Sequence, residues 1–369
     1  LWYAVSGNYK SEPESGLINE DTNGVFQIVD AAAAVQEDDV VAVIFAPGTA
    51  FSGQVRNIDV DTHCGEDYGN PIAYLEGNGA TDNANLQDVE DSPDQFIQAS
   101  LTSAAEPVPY NDYLITITRA EIWQAIMSRS DLQNRFSEVT EALAQCLAEY
   151  VNHADNPNKR FPWPAKLDLD GADYRVMANY SDKLNATAGY AGRIPFNIDD
   201  SNAVIVTSVE DNYLDPLNDP PVAGTDICFD MNLAISGVNN INLTDEDSEH
   251  RIILNNWKDH FFYAVSKDYA LPDTGAASCS GDCVSIENPA AVFTSYAAIV
   301  FFSGSPYAGQ LRDNANKDNV AFYLENGNAG DFTDAGGNGV YSTASADPAI
   351  SNDIMFCLTD QANPAVVAC

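Results

Sequence analysis

The sequence predicts an α+β protein of two tandem modules, each an antiparallel β-sheet, the second with a long amphipathic helix packed on it. Three observations predict this. The first is an internal repeat. Tyr3-Ala4-Val5-Ser6 returns as Tyr263-Ala264-Val265-Ser266, and the apolar run Val40 to Phe45, followed by Gly53-Gln54-Val55-Arg56, returns as Tyr296 to Phe301 followed by Gly309-Gln310-Leu311-Arg312. Tyr74-Leu75-Glu76 returns as Tyr323-Leu324-Glu325, and Asn111-Asp112 as Asn352-Asp353, in the same order. A repeat of this kind fixes the architecture ahead of any other reading. The second observation is a helical apolar period between the copies, and the third is a set of short strand-like runs bounded by Gly, Pro, Asn and Asp.

The first module covers residues 1–118, with strands expected at Trp2 to Gly7, Val40 to Ala46, Ile72 to Leu75 and Tyr113 to Thr118. The second covers 119–369: a helix over 119–154, an irregular loop over 155–256 and a sheet over 257–369. In the helix Ile122, Ile126, Leu132, Phe136, Val139, Leu143, Leu147 and Tyr150 recur mostly at three- and four-residue steps, which lays one apolar face along it. Thr118 is its expected N-cap, with Glu121 as the capping-box partner, and Asp155-Asn156-Pro157 ends it. The loop is rich in Asp, Asn, Pro and Gly, and its apolar runs Ala203 to Ser208 and Ile227 to Ile235 are candidate extra strands. The sheet strands are expected at His260 to Ser266, Tyr296 to Ser303, Val320 to Leu324 and Asp353 to Thr359. A helix precedes the Tyr-Ala-Val-Ser strand only in the second copy, so the first copy's helix is expected upstream of Leu1 or on another chain.

Composition narrows the function. The chain has 369 residues, 45% of them hydrophobic, enough for two ordinary cores. It carries 55 Asp and Glu against 16 Lys and Arg, a formal charge of −39. A field of that sign repels phosphate backbones and anionic lipid, which excludes nucleic-acid and lipid-surface partners. Its natural counterparts are cations, although acids also simply coat surfaces exposed to salt. No stretch approaches the ~20 apolar residues of a membrane span, so membrane attachment would run only through a helix outside the sequence.

Seven cysteines, several in loop-like surroundings, fit an oxidising compartment. Cys279 and Cys283 flank Ser-Gly-Asp, a loop a disulfide would close; Cys357 and Cys369 bracket the last strand and the tail; Cys146 with Cys228 is the third expected pair, and Cys64 is left over. One close cysteine pair with scattered histidines argues against zinc.

Candidate sites are few. Asp168-Leu169-Asp170-Gly171-Ala172-Asp173 sets Asp168, Asp170 and Asp173 around a glycine, as a Ca²⁺ loop does, without the bidentate Glu of an EF-hand; an acidic solvated turn is the other reading. Asp59, Asp61, Glu66 and Asp67, and Asp245 to Glu249, read as charged loops. Arg56 with Glu76, and Arg312 with Glu325, are expected to be structural ion pairs, because an arginine in so acidic a chain should be paired and a feature inherited by both copies belongs to the scaffold. No serine-nucleophile elbow, phosphate loop or metalloprotease motif occurs, so no enzyme and no catalytic residue is expected. His260, beside an aromatic strand, reads as a packed or capping residue. Asn179, Asn185 and Asn242 open Asn-x-Ser/Thr triplets.

The order Leu147-Ala148-Glu149-Tyr150, Arg160-Phe161-Pro162-Trp163-Pro164, Gly192-Arg193-Ile194-Pro195-Phe196 and then Trp257 to Ser266 resembles the soluble part of bacterial type IV pilin-like proteins of the prepilin-cleavage class. The second module matches that pattern over roughly 120–369, and the first matches its later half. The apolar N-terminal helix and processing site of that family are not in the sequence. The resemblance implies a helix on an antiparallel sheet, export by a prepilin-type pathway, and assembly with copies of itself or other pilin-like subunits into an extracellular, cell-surface filament or its tip. A secreted or surface-anchored Ca²⁺-dependent adhesin holding a glycan or another surface is the alternative.

Overall fold

The computed structural model describes residues 1–10, 17–56, 69–78, 81–85, 93–101, 109–152, 156–182, 189–198, 233–235, 238–241, 243, 248–270, 277–287, 293–307, 309–312, 315–325, 327–332, 339–343 and 352–369. These residues are mixed α+β and form two compact units, Leu1–Ser128 and Arg129–Cys369.

In the first unit, β1 (Trp2–Val5), β2 (Phe26–Val29), β3 (Val35–Ala46), β4 (Asp94–Ile97) and β5 (Tyr113–Thr118) make one sheet. β3 is its spine. Its first half pairs with β2, and its apolar second half pairs with β1 on one side and β5 on the other, all antiparallel. The alternation of β3 sends Val41, Val43 and Phe45 inward, where Phe45 and Phe26 both meet Phe96 edge-to-face at 5.1 and 5.2 Å. α1 (Arg119–Met127) leaves β5 directly, and its capping box is formed as read: Thr118 Oγ1 accepts from the Glu121 amide and the Glu121 carboxylate accepts from the Thr118 amide. Arg119 pairs with Asp39 at 2.6 Å, and Trp123 Nε1 donates to the Tyr9 hydroxyl at 2.9 Å.

The second unit contains α2 (Ser130–Asn152), β6 (Ala191–Arg193), α3 (Glu249–Trp257), β7 (Phe261–Val265), β8 (Val284–Glu287), β9 (Phe293–Phe302), α4 (Asn328–Phe332), β10 (Val340–Ser342), β11 (Ile354–Thr359) and β12 (Val366–Ala368). β9 is the spine, flanked by β7, β8 and β11; β6 extends the sheet beyond β7, β10 beyond β8, and β12 beyond β11. The apolar face of α2 lies on the sheet, with Phe136 stacked on Phe302 at 4.4 Å and edge-on to Trp257 of α3 at 5.2 Å. Phe136, Val139, Leu143, Leu147 and Tyr150 are all buried.

The structure departs from the expectations in four places. The helix expected over 119–154 is two helices, broken at Ser128 and Arg129, where the Ser128 hydroxyl bonds back to the Ala125 carbonyl and competes with the helical ladder. Neither sheet is purely antiparallel: β4 lies parallel to β2, and β10 parallel to β8. A parallel neighbour is reached by a crossover, and between Val29 and Asp94 the chain makes the whole of β3. Ile72 to Leu75 and Val320 to Leu324 are not strands; 3₁₀ turns at Pro71–Ala73 and Val320–Phe322 occupy them. In each the preceding asparagine, Asn70 or Asn319, accepts from the amide two residues on, a local bond that bends the backbone away from a ladder. Finally, the stretch 155–256 is not structureless, since it holds β6, most of α3 and a small antiparallel pair, Leu233–Ile235 with Val238–Ile241. Ala203 to Ser208 and most of Ile227 to Ile235 lie outside the described residues. Among the described residues no helix is long and apolar enough to cross a membrane.

Candidate functional site

The repeat converges on one polar knot, built once in each unit. In the first, Glu76 follows a 3₁₀ turn and is buried beneath the loop after β3. Its Oε1 accepts from Gln54 Nε2 at 2.8 Å and its Oε2 from the Asn111 amide at 3.0 Å. Asp112, entering β5, accepts at Oδ2 from the Glu76 amide at 2.8 Å and from Asn83 Nδ2. Asn83 then exchanges two bonds with Ile97 of β4, its Nδ2 donating to the carbonyl and its Oδ1 accepting from the amide.

The second unit repeats this atom for atom. Glu325 accepts from Gln310 Nε2 and from the Asn352 amide; Asp353 accepts from the Glu325 amide and Asn328 Nδ2; Asn328 exchanges two bonds with Ser342 of β10. Two asparagines that carry no charge and stand in no recognised motif thus tie the parallel strands to the acid pair. Their sequence signal was small: the Asn83-Ala84 and Asn328-Ala329 dipeptides sit at corresponding places after the Tyr-Leu-Glu segment.

The expected ion pairs take a different form. Arg56 does not meet Glu76 directly; its guanidinium donates to the carbonyls of Ala73, Gly48 and Tyr74 and to Gln54 Oε1, and Gln54 alone bridges it to the glutamate. Arg312 likewise donates to the carbonyls of Phe322, Gly304 and Tyr323, while Gln310 holds Glu325. Each guanidinium also lies 4.9 Å over a tyrosine ring, Tyr74 or Tyr323. The planar fork of arginine suits three converging carbonyls, so the residue pins the loop to the 3₁₀ turn through the backbone.

In both knots a pair of carboxyls is buried side by side. Burial, opposed by the Glu76 amide and reinforced by the Glu76 charge, raises Asp112 to about 7. Burial and the Glu325 charge push Asp353 well above the usual carboxylate range, and burial also raises Glu325. In each knot the glutamate amide donates to the aspartate carboxyl, so the two acids are joined through the backbone while the neighbouring glutamate charge disfavours a second charge on the aspartate. Asp112 Oδ1 and Asp353 Oδ1 are buried without a hydrogen-bond partner, which adds to the cost of charging either group.

A second buried cluster lies in the second unit. Arg193, at the end of β6, donates to the carbonyls of Leu167, Asp259 and Lys317, and its guanidinium lies 5.0 Å over Phe262 and 5.4 Å over Tyr323. Lys317 pairs with the Asp259 carboxylate. Burial alone would raise that carboxyl, but Lys317 and Arg193 together hold it well below its ordinary value. Burial keeps His260 neutral far below its usual pKa, and it packs between Phe302 and Tyr323, as its place beside an aromatic strand suggested. Lys317 gave no sequence signal.

Two of the expected disulfides are present, Cys279–Cys283 and Cys357–Cys369. Cys146 is also disulfide-bonded, and Cys64 and Cys228 lie outside the described residues. Of the candidate Ca²⁺ ligands, Asp168 and Asp173 are exposed, and the side chain of Asp170 lies outside the described set. Asp173 is engaged locally, accepting from the Arg175 amide and pairing with its guanidinium. Asn179 Nδ2 donates to the Asp173 carbonyl, while Asn185 and Asn242 lie outside the described residues. No protein-family model, curated protein or solved structure matches this chain.

Proposed function

We propose that the chain is a structural subunit of an extracellular type IV pilus-like filament or of its tip, exported by a prepilin-type pathway. The observation that carries this reading is the pair of knots: the buried acids of the repeat are turned inward onto backbone amides and glutamine side chains, and both copies keep the same bonds. A reacting site has no reason to be duplicated with its polar groups consumed by scaffold, whereas a module whose task is to hold its loops and present a surface does. The amphipathic helix laid across the sheet of the second unit supports the family resemblance, and the disulfides suit a chain that works outside the cell. Its partners on this reading are copies of itself or other pilin-like subunits.

The test is immunogold electron microscopy on unsheared source cells, with antibody raised against the purified chain. Gold should follow filaments, and shearing should release the chain in a high-molecular-weight fraction. Antigen found solely inside the cell, or as free monomer in the medium, would end the proposal.

A further inference from the structure

The two sheets present corresponding outer rows to opposite environments. In the second unit Tyr263 of β7 pairs with Val300 of β9, which pairs with Phe356 of β11. In the first unit the same register joins Tyr3 of β1, Ile44 of β3 and Ile115 of β5. Tyr263, Val300 and Phe356 are 0%, 0% and 8% exposed, and α2 lies on their sheet. Tyr3 and Ile115 are 74% and 67% exposed. Leu1 and Tyr113 extend the exposed row. The edge agrees with the face. β7 is bordered on its far side by β6, which pairs Gly192 with Tyr263, while β1 pairs with β3 alone among the described residues. Among the described residues, the second unit has a helix over the face and a strand along the edge, and the first has neither.

Tyr3, Ile115, Leu1 and Tyr113 exposed around the half-buried Ile44, on a row whose counterpart in the second unit is covered by its own helix, form a docking surface. We infer that it takes an amphipathic α-helix of a separate protein, with an apolar stripe like that of α2 and basic residues along its flanks. The stripe follows from the register, since Phe136, Val139, Leu143, Leu147 and Tyr150 are what the corresponding face accepts. The basic flanks follow from charge: residues 1–128 hold 21 acids against 3 bases, and of those bases Arg119 is paired with Asp39 and Arg56 is turned onto carbonyls. The same charge disfavours a second copy as occupant, because each copy brings −39. The surface deepens the structural reading by naming a partner, but it stands on its own observations.

The experiment adds two synthetic peptides to the full chain. One is the α2 sequence, Ser130–Asn152, carrying Cys146→Ser; the other carries in addition Glu138→Lys, Glu141→Lys and Glu149→Lys. Binding is followed by calorimetry, and by methyl NMR at Ile44 and Ile115. The basic peptide should bind at least tenfold more tightly than the acidic one at low salt, the gap should narrow as salt rises, and both methyls should shift. Ile115→Asp in the full chain should abolish binding with its melting temperature unchanged, while Ile252→Asp, an exposed site in the second unit, should leave binding intact. Absence of binding by the basic peptide, binding indifferent to Ile115→Asp, or a dimer of the chain that buries Ile115 would each overturn the inference. Immunogold that fails while the peptide binds would remove the filament and leave the docking surface.

Discussion

Asp112 and Glu76 are joined through the backbone inside the first sheet: the Glu76 amide donates to Asp112 Oδ2 at 2.8 Å, and burial beside the Glu76 charge raises the aspartate. Asp353 and Glu325 stand in the same relation in the second. The pairing has a consequence for pH. Asp112 is raised to about 7 in the folded chain, whereas an unfolded aspartate titrates near ~3.9. Between those values the folded state holds a proton that the unfolded state has released, so stability is full below the unfolded value and is lost as pH rises through the folded one.

Unfolding free energy should therefore fall by about 2 to 4 kcal/mol between pH 4.5 and pH 8. At the acid end Asp259 works in the opposite sense, since its depressed carboxyl contributes stability that is present above the unfolded value and lost as pH drops through the folded one. The stability maximum should lie near ~pH 4 to 5. Urea titrations across pH check this, and a maximum at pH 8 would show that the carboxyl pairs hold no proton.

Asp112→Asn and Asp353→Asn replace a protonated acid by an amide of the same shape that donates without titrating. The double variant should match the parent at pH 4.5, exceed it at pH 8 by about 1 to 3 kcal/mol, and show a flatter pH profile. Thermal melts at the two pH values read the result directly.

Arg312→Lys should be nearly as harmful as Arg312→Ala. Three carbonyls, of Gly304, Phe322 and Tyr323, converge on the guanidinium, and a lysine has one donor centre for them. A loss of about 2 to 3 kcal/mol in the second unit is expected for both. Full rescue by lysine in a denaturant titration would mean that charge, and not the fork, is what the site uses.

Gly304→Ala should destabilise by about 2 kcal/mol or more, because the added carbon would come within 2.2 Å of the Asn352 side chain, itself anchored to the Ser305 carbonyl. Gly309→Ala is a useful contrast: its Cβ would meet nothing, but its φ of +97° penalises any side chain through the backbone. Combining Gly304→Ala with Asn352→Ala should restore part of the loss only at Gly304.

Removing Cys357–Cys369 by double serine substitution should cost about 3 kcal/mol, and removing Cys279–Cys283 roughly 2, since the longer loop restrains more of the unfolded chain. Calorimetric melts of the two variants, without reductant, give the ranking.

The repeated strands were legible in sequence because Tyr-Ala-Val-Ser, the long apolar run and Asn-Asp each mark a strand by themselves. The capping box at Thr118 was legible for the same reason, being a contact between residues three apart. Ile72 to Leu75 misled as a strand because its apolar residues also suit a turn, and only the bond from the Ile72 amide to Asn70 chooses between them. The partners of Arg56 were out of reach: the charge named a carboxylate, whereas the fold supplied carbonyls of Gly48, Ala73 and Tyr74, groups present at every position of any sequence.

By itself the sequence determined that there are two related modules, which strands they share, which cysteines could close the short loops, and that the chain is a strong polyanion. These are properties of residue order and count, and local periodicity or a sum expresses them. Tertiary structure alone decided that Glu76 and Glu325 are held through glutamines, that Asn83 and Asn328 complete the acid pairs, and that Tyr3 is in water where Tyr263 is buried. The physical reason is that an acid raised by burial beside another acid, or a face covered by a helix, depends on which distant groups the fold brings together, and identical short motifs carry no record of that.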